Sequence, residues 1–457
     1  MPRMPRKVTR REFIGTAVGT TAVAGTGRLV APPSAKRPNV LFILADDLGY
    51  GDLSCYGRPD YRTPVLDGFA AQGIKFVSAY AAAPVCTPTR CAYITGRYPQ
   101  RLPVGLEEPL RRTSPADVGL PPNHPTVASL LKGNGYDTAL FGKWHLGWKP
   151  EFGPNRHGFD EFFGLLSGAA DYFTHRASDG PGAAADGTAP DLWENLTPVE
   201  RVGYLTDLLS DRAVQLIAHP HAKPFFLSLQ YNAPHSPWEG PEDAAIGHTE
   251  HGPGPMTNGG SLKVYAAMMK SMDAGIGRVL KALERAKLER DTLVIFTSDN
   301  GGERYSFNWP FSFQKGYLWE GGTRVPAMVR WPGVIPAGRV TEQAAITMDW
   351  TATILGATGT APDPDYPLDG ENLLPVCTGQ RGMYDRTLFW RTAERDAARV
   401  GNWKYLKEAG SEHLFDLSTD PGEKSDLRRQ RPDTFNAIRN QYAAWNAGML
   451  PRPQPTQ

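Results

Sequence analysis

The chain has 457 residues, with 49 lysines and arginines against 48 aspartates and glutamates, and a formal net charge of +1. This balance argues against a nucleic-acid-binding protein, which normally carries a basic excess or a basic stripe. Hydrophobic residues make up 40% of the chain, which is typical of a soluble globular protein. The length predicts two domains, and four cysteines are too few for a disulfide scaffold.

Residues 1–35 are predicted to be an export signal rather than part of the fold. Five basic residues precede the first acidic residue, Glu12, and a weakly apolar run rich in Gly, Thr and Ala follows. Residues 9–14 (TRREFI) resemble the twin-arginine export signal, and the run is too short and interrupted for a membrane span. We therefore expect a twin-arginine translocase as a partner, cleavage near Ala35 and a periplasmic or secreted protein. The alternative is a disordered basic tail.

The first predicted strand, residues 39–44 (NVLFIL), is apolar throughout, which is typical of a strand buried on both faces of a parallel sheet. Asp46 and Asp47 follow it directly, at the edge where open α/β sheets place their ligands. Two buried carboxylates repel each other, and a divalent cation would relieve that cost. The pair alone is also compatible with a solvated turn.

Residues 86–90 (CTPTR) follow a predicted helix, 64–73, and a predicted strand, 74–80. Pro88 suits the first turn of a helix, and we predict a short helix that ends at Gly96. Cys86 should then lie at or just before its N-terminus, where an anion is favoured. Arg90, one turn on, would offer a planar fork to oxyanions. The alternatives are a structural thiol and a disulfide with Cys91.

The next helix and strand, residues 126–134 and 136–141, lead to Lys143 and His145. In an extended chain these two side chains, two positions apart, would point the same way. Without further motifs, a surface lysine and a packed histidine would be the preferred interpretation of this pattern.

A second strand in this region, residues 224–231, follows a helix, 202–219, and leads to His235. Prolines on both sides of His235 predict a fixed, non-helical turn. Two long Gly- and Pro-rich loops are predicted, at 177–198 and 238–260, and the second is expected to form part of a pocket rim.

The longest predicted helix, residues 261–288, precedes a doubly buried strand, 292–297, which ends at Asp299 and Asn300. Together with the first aspartate pair, these two side chains supply an all-oxygen ligand set. No His/Cys set of zinc type accompanies them, so Ca²⁺ is favoured over Zn²⁺, and Mg²⁺ stays open.

Strand–helix alternation predicts one large α/β domain over residues 36–360, with Lys315 in a glycine-rich loop ahead of a short strand at 327–330. In residues 361–457, short alternating strands followed by a helix predict a small antiparallel α+β domain. Its expected elements are strands at 386–391, 402–407 and 412–416 and a helix at 434–445.

Six segments, in this order along the chain, resemble the signature segments of the type I sulfatases: NVLFILADDLGYGDLSCYG, APVCTPTRCAYITGRYPQR, GKWHLG, NAPHSPW, FTSDNGG and KGYLWEGGTRVP. The later segment HLFDLSTDPGEKSDL resembles the C-terminal domain of the same family. The resemblance implies the alkaline-phosphatase-like fold, in which helices sandwich a mostly parallel sheet. It also implies hydrolysis of sulfate monoesters.

The resemblance implies one Ca²⁺, with Asp46, Asp47, Asp299 and Asn300 as ligands. It implies that a formylglycine-generating enzyme oxidises Cys86 to Cα-formylglycine, whose hydrate is the nucleophile. It further implies that Arg90 and His145 hold and deprotonate the hydrate and that Lys143 and Lys315 bind the sulfate oxygens. His235 would protonate the leaving alcohol. Ser167 matches a substrate-contacting serine of some members.

Two alternative functions stay open. A phosphonate monoester or phosphodiester hydrolase of the same superfamily can share the formylglycine and the single metal, and a catalytically inactive sulfatase-like binding protein can share the fold. The substrate is also open, because neither long loop selects an aryl ester, a steroid or a sugar. The likeness to the N-acetylgalactosamine-6-sulfatase and arylsulfatase A types favours a sulfated glycan.

Overall fold

A large mixed β-sheet forms the centre of the protein in a computed structural model that describes residues 37–111, 113–179, 189–243 and 260–453, without the side chains of residues 178 and 179. Its strands run in the order β12-β2-β11-β10-β1-β9-β3-β4-β7-β8, with β13 paired to β2 and a separate β5–β6 pair beside it. The bounds are β1 Asn39–Ala45, β2 Ile74–Tyr80, β3 Asp137–Lys143, β4 Glu161–Leu165, β5 Ala169–Ala170, β6 Ala177–Asp179, β7 Leu192–Glu194, β8 Thr197–Pro198, β9 Phe225–Gln230, β10 Thr292–Ser298, β11 Arg324–Arg330, β12 Arg339–Thr341 and β13 Ala345–Ile346.

The five central strands, β10, β1, β9, β3 and β4, are all parallel. Ala45, the last residue of β1, pairs with Ser298, the last residue of β10, and Gln230 at the end of β9 pairs with Leu44. The residues that follow these strands therefore meet at one edge of the sheet. Side chains that are far apart in the sequence are brought together there.

Helices cover both faces of the sheet, as the apolar strands require. Alternate residues of β1 face opposite ways: Leu41 and Ile43 pack with α1, α4 and α5, while Val40, Phe42 and Leu44 pack with α2, α3 and α7. The helices are α1 Pro64–Ala71, α2 Cys86–Thr95, α3 Val127–Gly133, α4 Leu205–Ala218, α5 Leu262–Arg285, α6 Glu320–Thr323, α7 Thr347–Thr358, α8 Leu374–Thr378 and α9 Pro432–Asn446. The predicted α/β class, with helices around a mostly parallel sheet, is confirmed.

A second, antiparallel sheet lies near the C-terminus, with strands β14 Thr387–Arg391, β15 Asp396–Val400, β16 Trp403–Glu408 and β17 Ser411–Asp416. Helix α9 packs on it. Trp390 of this sheet shares an apolar cluster with Tyr80 of β2, and residues 37–457 group as one compact unit. The domain boundary near residue 361 therefore stays a prediction.

Two of the local predictions were wrong. The prediction of three C-terminal strands omitted β15 (DAARV), because aspartate and alanine are poor strand formers and this strand depends on its two neighbours. The predicted loop at 177–198 contains β6, β7 and β8. There Asn195 adopts a left-handed conformation (φ 55°), which allows the tight turn joining β7 to β8.

Two predictions concern segments that the structure describes in part or not at all. The export signal lies outside the described residues, and so does most of the predicted loop at 238–260. Within the described ranges, no helix is both long enough and apolar enough to cross a membrane.

Candidate active site

Three aspartates and an asparagine converge at the carboxyl edge of β1 and β10. Asp47 N donates to Asp299 Oδ1 at 3.1 Å, and Asn300 Nδ2 donates to Asp47 Oδ1 at 2.7 Å. Asp46, Asp299 and Asn300 are fully buried, and Asp47 is 3% exposed. The structure thus brings together the four side chains that were predicted to bind a metal.

Cys86 is the first residue of α2. Its Sγ lies 3.7 Å from Asp46 Oδ1, and burial raises the pKa of the Cys86 thiol to about 12. All four cysteines, including Cys91, are free thiols, so the disulfide alternative is not adopted. Cys91 instead packs in the apolar core on the side of the sheet that α2 covers.

The guanidinium of Arg90 donates hydrogen bonds to other groups of the protein. Nε and Nη2 donate to Asp299 Oδ2 at 3.1 and 2.8 Å, while Nη1 donates to Lys143 O at 2.9 Å and Gln230 Oε1 at 2.8 Å. The side chain is 1% exposed. Arg90 therefore fixes Asp299 and ties three strand ends together, and its predicted contact with the nucleophile stays a prediction.

Each of the two lysines pairs with one carboxylate of the cluster. Lys143 Nζ lies 2.6 Å from Asp46 Oδ2, and Lys315 Nζ lies 2.7 Å from Asp47 Oδ2. Burial acts to raise the pKa of Asp47, but the charges of Lys315, His235 and Lys143 outweigh it and hold that pKa below its usual range. Lys315 is 15% exposed and is the lysine closer to solvent.

His235 faces this cluster with Nε2, which lies 3.2 Å from Lys315 Nζ and 3.6 Å from Asp47 Oδ2. Its other ring nitrogen, Nδ1, lies 2.5 Å from Ser236 O. Because a carbonyl can only accept, Nδ1 carries a proton and Nε2 is the atom free to exchange one with a ligand. Burial and the charge of Lys315 lower the pKa of His235 to about 3.

The expectation that His145 points the same way as Lys143 through an extended chain was wrong. Strand β3 ends at Lys143, and His145 has a left-handed backbone with φ 57°. Its Nε2 lies 2.9 Å from Leu110 O, and its buried Nδ1 has no hydrogen-bond partner among the described residues. Burial and the charge of Lys143 hold the pKa of His145 well below its usual range, so it is a neutral ring with a free acceptor.

Ser167 is fully buried, and its hydroxyl lies within hydrogen-bond distance of both the Asp191 carboxylate and Ala169 O. These contacts give it a structural role, and its contact with substrate stays a prediction. The neighbouring Gly168 lies against the ring of His145, where a Cβ atom would come within 2.6 Å of that ring.

Two supporting residues were not found from the sequence. Gln230, which accepts from Arg90, is the one long polar side chain of β9 (FFLSLQ), and that contrast was an available signal. Asp52 accepts bonds from Gly49 N at 2.7 Å and Phe307 N at 2.8 Å. It thereby links the loop after β1 to the loop after β10, a long-range pairing that no local pattern reveals.

The donors present fit a divalent cation. The ligand atoms of Asp46, Asp47, Cys86 and His235 lie within 4.8 Å of one another, so the cluster includes His235, which was not predicted as a ligand. Asn300 Oδ1 is buried and has no hydrogen-bond partner among the described residues. Burial, and after it the charge of Asp46, raises the pKa of Asp299 to about 7, so this carboxylate carries an uncompensated cost of being ionised. A hard cation would satisfy both features.

Comparison with known proteins agrees with this geometry. A protein-family model described as Sulfatase matches residues 38–360, and one described as the C-terminal part of N-sulphoglucosamine sulphohydrolase matches residues 308–442. The steryl-sulfatase of Mus musculus is 33% identical over 93% of this chain and 84% of its own length. The N-acetylgalactosamine-6-sulfatase of Canis lupus familiaris is 35% identical over 84% of this chain and 73% of its own.

Among solved structures, the crystal structure of Ps i-CgsB has a TM-score of 0.81 and 32% identity, covering 90% of this chain and 93% of that one. The same protein in complex with k-i-k-neocarrahexaose gives a TM-score of 0.79 at the same identity and coverage. The match to most of the chain, the identity to curated sulfatases and the shared fold lead to one conclusion: the chain belongs to the sulfatase family of sulfate-ester hydrolases, with the alkaline-phosphatase-like fold.

Proposed function

We propose that the enzyme hydrolyses sulfate monoesters of a sulfated glycan, with a formylglycine derived from Cys86 as its nucleophile and a Ca²⁺ ion in the carboxylate cluster. The observation that carries the proposal is the position of Cys86, which begins α2 and lies 3.7 Å from Asp46 in a site lined by two lysines and two histidines. An unmodified thiol with a pKa near 12 is a poor nucleophile at neutral pH, which favours a modified side chain.

Asp46, Asp47, Asp299 and Asn300 would hold the cation, which supplies positive charge for a sulfate oxygen and for the nucleophile. The all-oxygen donors favour Ca²⁺, and Mg²⁺ is the alternative. Arg90 keeps the Asp299 carboxylate in place through two bonds to one oxygen. Asn300 offers Oδ1, the cluster's unsatisfied buried acceptor.

The side chains around Cys86 have complementary tasks. Lys143 and Lys315 would bind sulfate oxygens, because a sulfate ester is a dispersed anion and the ammonium groups lie at the cluster. His145 offers a neutral acceptor nitrogen, Nδ1, suited to taking a proton from the side chain at position 86. His235 would give a proton to the departing alkoxide through Nε2, since a bound anion raises the pKa of a neighbouring histidine.

A glycan substrate is supported by the relatives. Two of them are named as an N-acetylgalactosamine-6-sulfatase and a protein crystallised with a neocarrahexaose, although another is named as a steryl-sulfatase. Aryl sulfates stay open as substrates. We further propose maturation by a formylglycine-generating enzyme and export by the twin-arginine translocase to the periplasm or outside the cell, as the segment TRREFI predicts.

The first experiment is peptide mass spectrometry on protein produced together with a formylglycine-generating enzyme. The peptide containing Cys86 should carry an aldehyde in place of the thiol, whereas the next tryptic peptide, which begins at Cys91, should be unmodified. An unmodified Cys86 together with no turnover would favour an inactive binding protein.

The second experiment compares two esters with the same leaving group, nitrophenyl sulfate and a nitrophenyl phosphonate monoester. A higher kcat/KM on the sulfate is expected. The reverse ranking would favour the phosphonate or phosphodiester alternative. Sulfated oligosaccharides tested next to the aryl ester then decide the substrate class.

A further inference from the structure

The peptide that carries Lys315 is held by the large α/β region at two points. Lys315 N donates to Gly302 O at 3.2 Å, and Gly316 N donates to Pro84 O at 2.8 Å. These bonds connect it to the loop after Asn300 and to the segment before Cys86. Gly316 itself has φ 88° and no atom near the position of a Cβ, so its backbone has the freedom that only glycine has in this conformation.

The C-terminal sheet supplies a third contact. Arg395 lies in the turn between β14 and β15, and its Nη1 donates to Gly316 O at 3.3 Å. Its guanidinium carbon lies 4.8 Å from the centre of the Tyr317 ring, a cation–π distance. Arg395 thus contacts the two residues that immediately follow Lys315.

Glu408, the last residue of β16, holds both Arg395 and the loop. One carboxylate oxygen pairs with Arg395 Nε, and the other accepts from Trp319 Nε1 at 2.6 Å. The Trp319 ring lies 4.6 Å from Phe313 and 5.4 Å from Phe415 of β17. The C-terminal sheet therefore contacts the residues that follow Lys315, and Phe313, which precedes it, packs on one of them, Trp319.

We propose that Arg395 and Glu408 are positioning residues for Lys315, so that the C-terminal sheet sets the geometry of the sulfate-binding lysine without touching the substrate. The proposal rests on the proposed function, which gives Lys315 a sulfate oxygen to bind. Lys315 Nζ must stay near both Asp47 and His235, and a misplacement of about 1 Å at such a site can cost about 100-fold in rate.

The test uses Arg395→Ala and Glu408→Gln in the metal-loaded, formylglycine-containing enzyme. We expect kcat/KM on a sulfate ester to fall about 10- to 100-fold, and inhibition by inorganic sulfate to weaken in parallel. The matched control is Arg428→Ala. Arg428 pairs with Asp426 at 3.0 Å in the same region and makes no hydrogen bond or ion pair with residues 302–319 among those the structure describes, so its removal should leave both values near wild type.

A double-mutant cycle separates positioning from general stability. In the Lys315→Ala background, Arg395→Ala should cause no further loss of kcat/KM or of sulfate affinity, because the residue it positions is gone. An equal additional loss in that background, or wild-type values for Arg395→Ala alone, would overturn the proposal. If Arg395→Ala does not fold, Trp319→Phe removes the donor to Glu408 while keeping an aromatic ring at that position, and it should shift the same two values in the same direction.

The outcomes also separate this proposal from the one on which it rests. Full turnover and full sulfate affinity in Lys315→Ala alone would contradict the proposed role of Lys315 and overturn both. If Lys315→Ala lowers kcat/KM and sulfate affinity but Arg395→Ala does not, the role of Lys315 is retained. Only the positioning role of the C-terminal sheet is then rejected.

Discussion

Lys143 Nζ donates to Asp46 Oδ2 at 2.6 Å, and neither side chain is exposed to solvent. Asp46 is also the carboxylate closest to Cys86, at 3.7 Å from its Sγ. The ammonium group of Lys143 therefore balances negative charge at the position where a divalent cation is expected. Lysine and cation should then partly substitute for each other in stabilising the cluster.

Lys143→Ala should lower the free energy of unfolding by about 3 kcal/mol in the presence of a chelator, because it removes the nearer cation from buried Asp46 and leaves only Arg90 Nη2, at 3.6 Å. With saturating Ca²⁺ the loss should be smaller, since the cation neutralises the same carboxylate. Urea unfolding of both proteins under the two conditions measures this. An identical loss with and without Ca²⁺ would show that no cation binds at Asp46.

Cys86→Ala should abolish turnover and leave the fold intact, because it removes the proposed nucleophile from a helix that other contacts hold in place. The control is Cys91→Ala in the same helix, which removes a thiol from the apolar core and should retain turnover with a stability loss of about 1 kcal/mol. Activity assays and thermal unfolding of the two variants provide the measurement. Substantial turnover by Cys86→Ala would refute the covalent mechanism.

His235→Ala should reduce turnover of esters with poor leaving groups, such as a sugar 6-sulfate, by about 10²–10⁴-fold. Nitrophenyl sulfate should be affected far less, because its leaving group departs without protonation. The ratio of the two kcat/KM values, measured for wild type and variant, is the informative quantity. Equal losses on both esters would remove the role of His235 as the acid.

Glu108→Gln should make stability less dependent on pH. Burial raises the pKa of Glu108 from 4.5 to about 7, although its carboxylate accepts bonds from Ala393 N. The folded state therefore binds more protons than the unfolded state between pH 4.5 and 7, and wild-type stability falls as pH rises through that window.

The quantity to follow is the difference in free energy of unfolding between the Gln variant and wild type. Between pH values below 4.5 and values above 7, this difference should change in favour of the variant by on the order of 2 kcal/mol. Urea unfolding at pH 4 and pH 8 compares the two proteins under both conditions. A difference between them that does not change with pH would show that Glu108 has an ordinary pKa.

The sequence predicted the parts of the site that follow from a local pattern. Asp46 and Asp299 each come directly after an apolar strand, and parallel neighbours bring such positions to one edge. Cys86 was placed at a helix start by Pro88, and the structure agrees. The order of six segments along the chain indicated the family before any comparison.

What the sequence could not predict depends on contacts between distant segments. The guanidinium of Arg90 bonds to Lys143, Gln230 and Asp299, which lie 53, 140 and 209 positions along the chain from it. Such a long-range pairing leaves no local signal in the sequence. The left-handed backbone at His145 is likewise decided by its surroundings, where Thr87 bonds to its carbonyl and Leu110 to its ring. Strand β15 forms because its two partners supply the hydrogen bonds that its own residues favour only weakly.

Cys86 is 1% exposed in the folded protein, next to Asp46 and at the start of a helix whose every residue is buried. A second enzyme cannot reach that sulfur once the sheet edge has closed. If Cys86 is converted to formylglycine as proposed, the modifying enzyme would therefore have to act before this part of the chain folds. If the twin-arginine route then exports the folded protein, the modification would have to be complete before export, and a chain that folded first would keep an unmodified, buried thiol.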